Sequence, residues 1–356
     1  ARQRRPGRAN VNHIAPKDTH YRMVLMGGGG ATNAGRNTGD REGKNVSAKT
    51  KIAWCRSTFS PWIGCTEVSP GCDACYARVM DFRHQLGGVT HWGRGVPRRR
   101  TAVSTWGYPP RWDRAAAHEL ATGKVVVQDP WLGPPGFWPV FPSMCDPFDN
   151  EVDPEWRWDF LTMVSETPYL TWQLLTKRIG NVAGMLPAWW DDPDAWWPEL
   201  GWKAAHLNVW IGASVVNQDE ADRDIPKLLK VPAGRRFVSY EPALGPIAFR
   251  REWLAGLDQV IVGGESNQGW HRARPFDLGW ARSVVEQCRV AGVAVFVKQL
   301  GTKPYAVEGS VEAKEWGAFD QVVAAMDDGG RIHCRDRKGG APSEWPKDLR
   351  VREWPR

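Results

Sequence analysis

From residue 51 onward, short apolar, β-branched or aromatic runs recur along the chain. Each is followed by polar residues and then by a stretch with helical spacing. The runs fall at Lys51–Trp54, Trp138–Met144, Tyr169–Leu175, Asn208–Ala213, Arg236–Tyr240, Gln259–Val262 and Val293–Val297. Between the later ones, Gln218–Leu229 and Leu278–Ala291 are amphipathic with a helical period, which predicts helices. Nearly continuous apolar strands alternating with helices imply a parallel sheet covered on both faces. Six or seven such units predict an α/β protein built on a complete or partial (β/α) barrel of the TIM type. An open doubly wound sheet is the alternative.

The chain divides in three on this reading: a leader over residues 1–50, the barrel over 51–301, and an extension over 302–356 that packs on the barrel. The leader carries Gly27 to Gly30, many Asn and Arg residues and little periodicity, a composition expected to be disordered. Part of it is read as upstream sequence, with Met23 or Met26 as possible starts. The net charge is +7, and residues 1–50 alone hold ten Lys/Arg against three Asp/Glu. Residues 51–356 are therefore balanced, and the basicity belongs to the leader. That arm either grips phosphates or is a solvated segment without a role. No run of about eighteen apolar residues predicts a membrane span, so a cytoplasmic protein is expected.

The predicted strand ends carry the polar chemistry. They are Ser143-Met144-Cys145-Asp146, Thr176-Lys177-Arg178, Ser214, Ser239-Tyr240-Glu241, Gly263-Gly264-Glu265 and Lys298-Gln299. In a barrel such positions face one rim, where active sites are assembled. Any single one is equally well a helix cap or a turn.

After the first strand comes Cys65-Thr66-Glu67-Val68-Ser69-Pro70-Gly71-Cys72-Asp73-Ala74-Cys75-Tyr76. Three thiolates at C-x6-C-x2-C can hold three corners of a four-iron, four-sulfur cluster and leave one iron open. A structural zinc site is the alternative; it would need a fourth ligand from Cys55, His84 or His91, none at a usual spacing. Seven scattered cysteines in 356 residues do not make a disulfide framework. Cys145 is either a radical relay or a small apolar filler.

The chain from Lys51 to Arg356 resembles the three-cysteine-motif, radical-S-adenosylmethionine-like proteins of phages, prophages and actinobacteria. The resemblance rests on Ile52-Ala53-Trp54, Pro61-Trp62-Ile63-Gly64-Cys65-Thr66, Ser69 to Ala77, Pro142 to Asp146, Leu174 to Arg178, Asn208 to Gly212, Ser239 to Pro246, Val262 to Ser266 and Phe296 to Gly301. It implies a radical enzyme that uses a 4Fe-4S cluster and S-adenosyl-L-methionine to generate a 5′-deoxyadenosyl radical. Cys65, Cys72 and Cys75 would ligate the cluster, and Tyr76 would pack near the adenine. Gly263, Gly264 and Glu265 would contact the methionine amine, in competition with Ser143 and Asp146. Lys177, Ser214, Glu241 and Lys298 complete the expected cofactor site. The resemblance also implies a three-Cys-motif partner protein and a reductant such as flavodoxin or ferredoxin. The first gap is longer than the superfamily's usual C-x3-C.

The substrate expectation comes from residues 83–114, where arginines, including Arg98, Arg99 and Arg100, alternate with aromatics such as Trp106. Guanidinium groups take phosphates and aromatic faces stack bases, which suggests modification or repair of a nucleic-acid base, DNA before RNA. The other readings are a loop packed on the barrel, a zinc-stabilised nucleic-acid-binding protein without turnover, and a radical enzyme acting on a small molecule or peptide. The Trp-rich stretches Trp189-Trp190 and Trp196-Trp197 are read as a lid or a satellite hydrophobic cluster.

Overall fold

Seven strands form one sheet: β1 (Ser57–Thr58), β2 (Pro139–Phe141), β3 (Thr171–Thr176), β4 (Val209–Ser214), β5 (Arg235–Tyr240), β6 (Gln259–Gly263) and β7 (Ala294–Gln299). Their spatial order follows the sequence, and every pairing is parallel. A doubly wound sheet reverses its strand order part-way; this one does not, and it curls into a half-barrel. Among the described residues the edge strands β1 and β7 do not pair. The computed structural model describes residues 50–84, 89–125, 133–191, 208–306 and 330–355. The described residues all belong to one compact unit, Gly43–Arg356. The basic leader and the Trp196-Trp197 pair lie outside the described residues, as does the stretch 307–329 of the C-terminal extension.

Helices fill the crossovers: α1 (Tyr76–His84) and α2 (Tyr108–Thr122) between β1 and β2, then α3 (Pro154–Ser165), α4 (Ile179–Met185), α5 (Gln218–Leu228), α6 (Arg251–Leu254) and α7 (Leu278–Ala291). Local sequence fixes their ends. Asn217 caps α5 by accepting from Glu220 N at 3.0 Å, while the Glu220 carboxylate accepts from Val216 N at 3.1 Å, a reciprocal cap. Asp277 caps α7, and Gly292, left-handed at φ 71°, ends it, as C-terminal glycines do. Among the described residues no helix is long and apolar enough to cross a membrane.

Period-two alternation sends strand side chains into two buried clusters. Trp172, Leu174, Ile211, Val238 and Val260 pack under the helices. Trp210, Phe237, Ile261 and Phe296 face the concave side with Trp54 and Cys55. Burial on both faces explains the uninterrupted apolar runs. Gly212 is part of this fit, since a Cβ there would stand 2.4 Å from the Phe237 ring.

The sheet differs from the sequence reading at its first strand. Lys51–Trp54 forms a turn, with Cys55 N donating to Ile52 O at 3.3 Å. Its apolar residues mark burial as a plug on the concave face, where Trp54 meets Phe141 at 4.6 Å; β1 starts three residues later. At the other edge, Val351 to Glu353 runs antiparallel to β7, with Val297 N donating to Val351 O at 2.8 Å and Glu353 N to Val295 O at 2.9 Å. This cover satisfies an edge that would otherwise offer free backbone groups.

Candidate functional site

The cysteine loop leaves β1 through Trp62–Ile63, which pairs antiparallel with Arg99–Arg100. Gly64 (φ 119°) then passes so close to His91 that a Cβ would lie 2.2 Å from its carbonyl oxygen, and only glycine allows that approach. Ser69 caps the short turn Pro70–Cys72, its Oγ accepting from Gly71 N at 3.1 Å. Cys75 N donates to Cys72 O at 3.1 Å, so the C-x2-C pair spans one tight turn directly ahead of α1.

Cys65, Cys72 and Cys75 line a single cleft at the C-terminal ends of β1 to β4, joined by Tyr76, Ser143, Asp146, Lys177 and Ser214. The cleft has a volume of about 120 Å³ and is open to solvent. Cys145, Trp92, Thr176 and Arg178 also line it. The Tyr76 hydroxyl donates to the Ser143 carbonyl at 2.7 Å, and Lys177 Nζ donates to Ser214 Oγ at 2.9 Å.

Asp146 is the hub beneath the cleft. Its carboxylate accepts from Thr176 Oγ1 at 2.7 Å, Phe148 N at 3.0 Å, Lys177 N at 3.2 Å and Arg178 Nη1 at 3.0 Å. Arg178 turns the same nitrogen toward Cys65 Sγ at 3.4 Å and donates from Nη2 to the Thr66 carbonyl. Burial works against the charge of Arg178, yet Asp146, Cys65 and Asp149 outweigh it and hold the guanidinium protonated above its usual range. Burial pushes the Cys65 thiol up to about 12, Asp146 adding to the rise and Arg178 opposing it. Burial also raises Cys75, against the Arg78 backbone and Lys177. Cys145 stands well above its ordinary value through burial, Asp146 and Cys65.

The remaining strand ends form two further groups. At the ends of β5, β6 and β7, Lys298 Nζ is ion-paired with Glu241, and Gly263 lies beside that carboxylate, its Cβ position 3.3 Å from Glu241 Oε1. Gly264 is demanded by backbone packing, since a Cβ would come within 2.3 Å of the Leu300 carbonyl oxygen. The Glu265 carboxylate accepts from Arg274 N at 2.8 Å and Nε at 3.0 Å. Arg274 continues to the cysteine loop, donating to Pro70 O at 2.9 Å and Asp73 Oδ2 at 3.0 Å. Glu265 thus acts on the cysteine loop through Arg274.

Within the arginine run, Arg98 departs from the sequence reading, while Arg99 and Arg100 are exposed. Arg98, expected at phosphates, is buried: Nε donates to Asp149 Oδ2 at 2.7 Å, Nη1 to the carbonyls of Val96 at 2.7 Å and Gly93 at 3.0 Å, and Nη2 to Thr66 Oγ1. It braces the cysteine loop, and its burial keeps the guanidinium from a strand of nucleic acid. Arg100 is tied to Asp159 at 2.5 Å and lies over the Trp106 ring at 4.8 Å, while Trp106 packs edge-on against Phe59 at 5.5 Å. Of the tryptophan pairs, Trp190 is buried against the core with Trp189 beside it.

A family model described as a protein of unknown function, DUF5131, matches residues 49–326. The chain belongs to the DUF5131 family. No curated protein and no solved structure matches it.

The cleft of this DUF5131 protein fits a thiolate-bound metal group in its donor chemistry. All three motif cysteines are free of disulfides, they open into one space, and Lys177 and Arg178 supply positive charge beside them. Burial raises the Cys65 and Cys75 thiols, so metal must displace protons there, as thiol ligation requires. Among the described residues no three His, Cys, Asp or Glu side chains already stand in ligating geometry, so the thiols would have to reorient. Of the fourth ligands considered for zinc, Cys55 is buried in the concave cluster and His91 Nδ1 faces Asp81 at 3.1 Å. The His84 side chain lies outside the described residues.

Proposed function

We propose that this protein is a radical S-adenosylmethionine-type enzyme acting on a nucleic-acid base. Cys65, Cys72 and Cys75 would hold a 4Fe-4S cluster with one open iron. The observation that supports this reading is the convergence of the three thiols of one loop on a cleft at the strand ends of a half-barrel, with Lys177 and Arg178 on its wall. With S-adenosylmethionine bound, such a cluster supplies reductive cleavage to a hydrogen-abstracting 5′-deoxyadenosyl radical.

The protein's own work is holding and shielding. Asp146 fixes Arg178 against Cys65, and Arg274 fixes the far end of the loop, so the thiols are carried on a braced backbone. Lys177 and Ser214 present a cation and a hydroxyl to a cofactor carboxylate. Tyr76, pinned to Ser143, offers a ring to an adenine. Trp92 and Phe141 line the apolar part of the cleft and exclude water. Glu241, Gly263 and Lys298 extend the polar rim beyond it.

One observation favours a second reading. Cys145 lines the same cleft, so four cysteines are available, the number that closes a tetrahedral structural zinc site. The protein would then be a zinc-stabilised binding module.

Anaerobic purification of the wild type and Cys72→Ala, with iron, sulfide and zinc analysis and a visible spectrum, separates the two. About four irons per chain with matching sulfide, lost in Cys72→Ala, support the radical enzyme. A colourless protein with about one zinc, released by Cys145→Ser, overturns it.

A further inference from the structure

Beside the cleft, α1 and the loop that carries Arg274 leave large apolar side chains in solvent. Trp270 is 63% exposed and Phe82 59%, and their rings meet edge-on at 5.7 Å and 82°. Met80 is also exposed. A folded chain ordinarily hides such a pair, and an exposed aromatic patch marks an interaction site.

The charge around the pair points to the partner. Of the carboxylates on these elements, Glu67 is paired with Arg78, and Asp73 and Glu265 with Arg274, while Asp81 is buried and accepts from His91 N at 3.0 Å. Arg83, next to Phe82, and Arg272, two residues beyond Trp270, are exposed and form no ion pair among the described residues. Two open aromatic rings with uncompensated guanidinium groups at their flanks suit stacked bases joined by phosphates.

The patch is also fixed relative to the cleft. Tyr76 opens α1 at the cleft wall, and Phe82 follows six residues later on the same helix, about 9 Å along its axis. Val79 packs against Gly269, whose Cβ position lies 3.3 Å from Val79 Cγ1, and Arg274 ties the loop to Pro70 and Asp73.

We propose that Phe82 and Trp270, flanked by Arg83 and Arg272, form a stacking platform for single-stranded nucleic acid. It would receive bases next to the one presented to the cleft. This inference rests on the nucleic-acid reading above, and its test is separable from the metal question. The probe is a single-stranded oligodeoxynucleotide carrying 2-aminopurine, titrated into the full chain with anisotropy and 2-aminopurine emission read together. Quenching reads base stacking directly, and comparing Trp270→Ala with the wild type in the full chain cancels whatever the leader contributes.

Trp270→Ala should weaken binding roughly 5- to 150-fold, the range for one lost base stack, and abolish quenching. Trp270→Phe should retain most of both. Arg272→Gln should lower the slope of log K against log salt by about 0.7, the single-strand value for one phosphate. A wild type that does not quench the probe, or a Trp270→Ala variant that binds within twofold with quenching intact, overturns the platform. Metal content is measured on the same preparations. Iron with Trp270-independent binding removes the platform and leaves the cluster, and zinc with Trp270-dependent binding does the reverse.

Discussion

Arg98 shows how far a side chain's neighbours decide its role. It belongs to a run of three arginines, yet it is buried with its donors held by Asp149, Thr66 and three backbone carbonyls. Removing one partner from a buried ion pair leaves an uncompensated charge, which typically costs about 3–5 kcal/mol. Arg98→Ala should therefore lose that much stability in urea unfolding, while exposed Arg99→Ala should change it by less than about 0.5 kcal/mol. Similar, small effects at both positions would show that Arg98 is solvated. Arg178 is the opposite lesson. Its place in Leu174 to Arg178 marked a strand end, but its contact with Cys65 spans 113 positions of sequence and leaves no local signal.

At the scale of elements, the cysteine loop is held from two sides. Arg178 and Arg98 secure the Cys65 end through Thr66. Arg274, itself gripped by Glu265, secures Pro70 and Asp73 at the other. Arg178 and Glu265 follow different strands, β3 and β6, so the half-barrel's curl sets the geometry of the thiols. Arg274→Ala should release the second clamp without unfolding the sheet. Hydrogen exchange is then expected to accelerate at least tenfold over residues 69–76, about the effect of losing one charge-assisted hydrogen bond, with β4 to β7 unchanged. Unaltered exchange in that segment would show that the turn Pro70–Cys72 holds itself.

For the molecule as a whole, each of the two buried clusters encloses a thiol: Cys55 on the concave face and Cys288 on the buried face of α7. Burial raises both to about 12 from 9.0. A thiol whose folded value lies above its unfolded one stabilises the fold fully below pH 9. It loses that contribution as pH rises from 9 toward 12, because the folded state then binds the extra proton. Each such thiol should remove about 1.4 kcal/mol per pH unit in that window. Urea midpoints from pH 8 to 11 should fall less steeply in Cys288→Ala than in the wild type. Parallel slopes would place Cys288 in contact with solvent.

The sequence alone determined what depends on local spacing. Apolar runs separated by helical stretches specify a parallel α/β sheet, because burial on both faces removes the alternation that a solvated strand would show. The range Leu278–Ala291 carries its own cap and stop, and C-x6-C-x2-C places three thiols on one loop. The tertiary structure decided what depends on partners distant in the chain. It left the sheet a half-barrel whose edge is paired with Val351 to Glu353. It brought Cys145 into the cleft, turned Lys51–Trp54 into a concave-face plug, and gave Asp146 and Glu265 to arginines. Arg274 and Asp73 lie 201 residues apart. Neither stands at a strand end that periodicity marks, and only the folded backbone brings the two charges together.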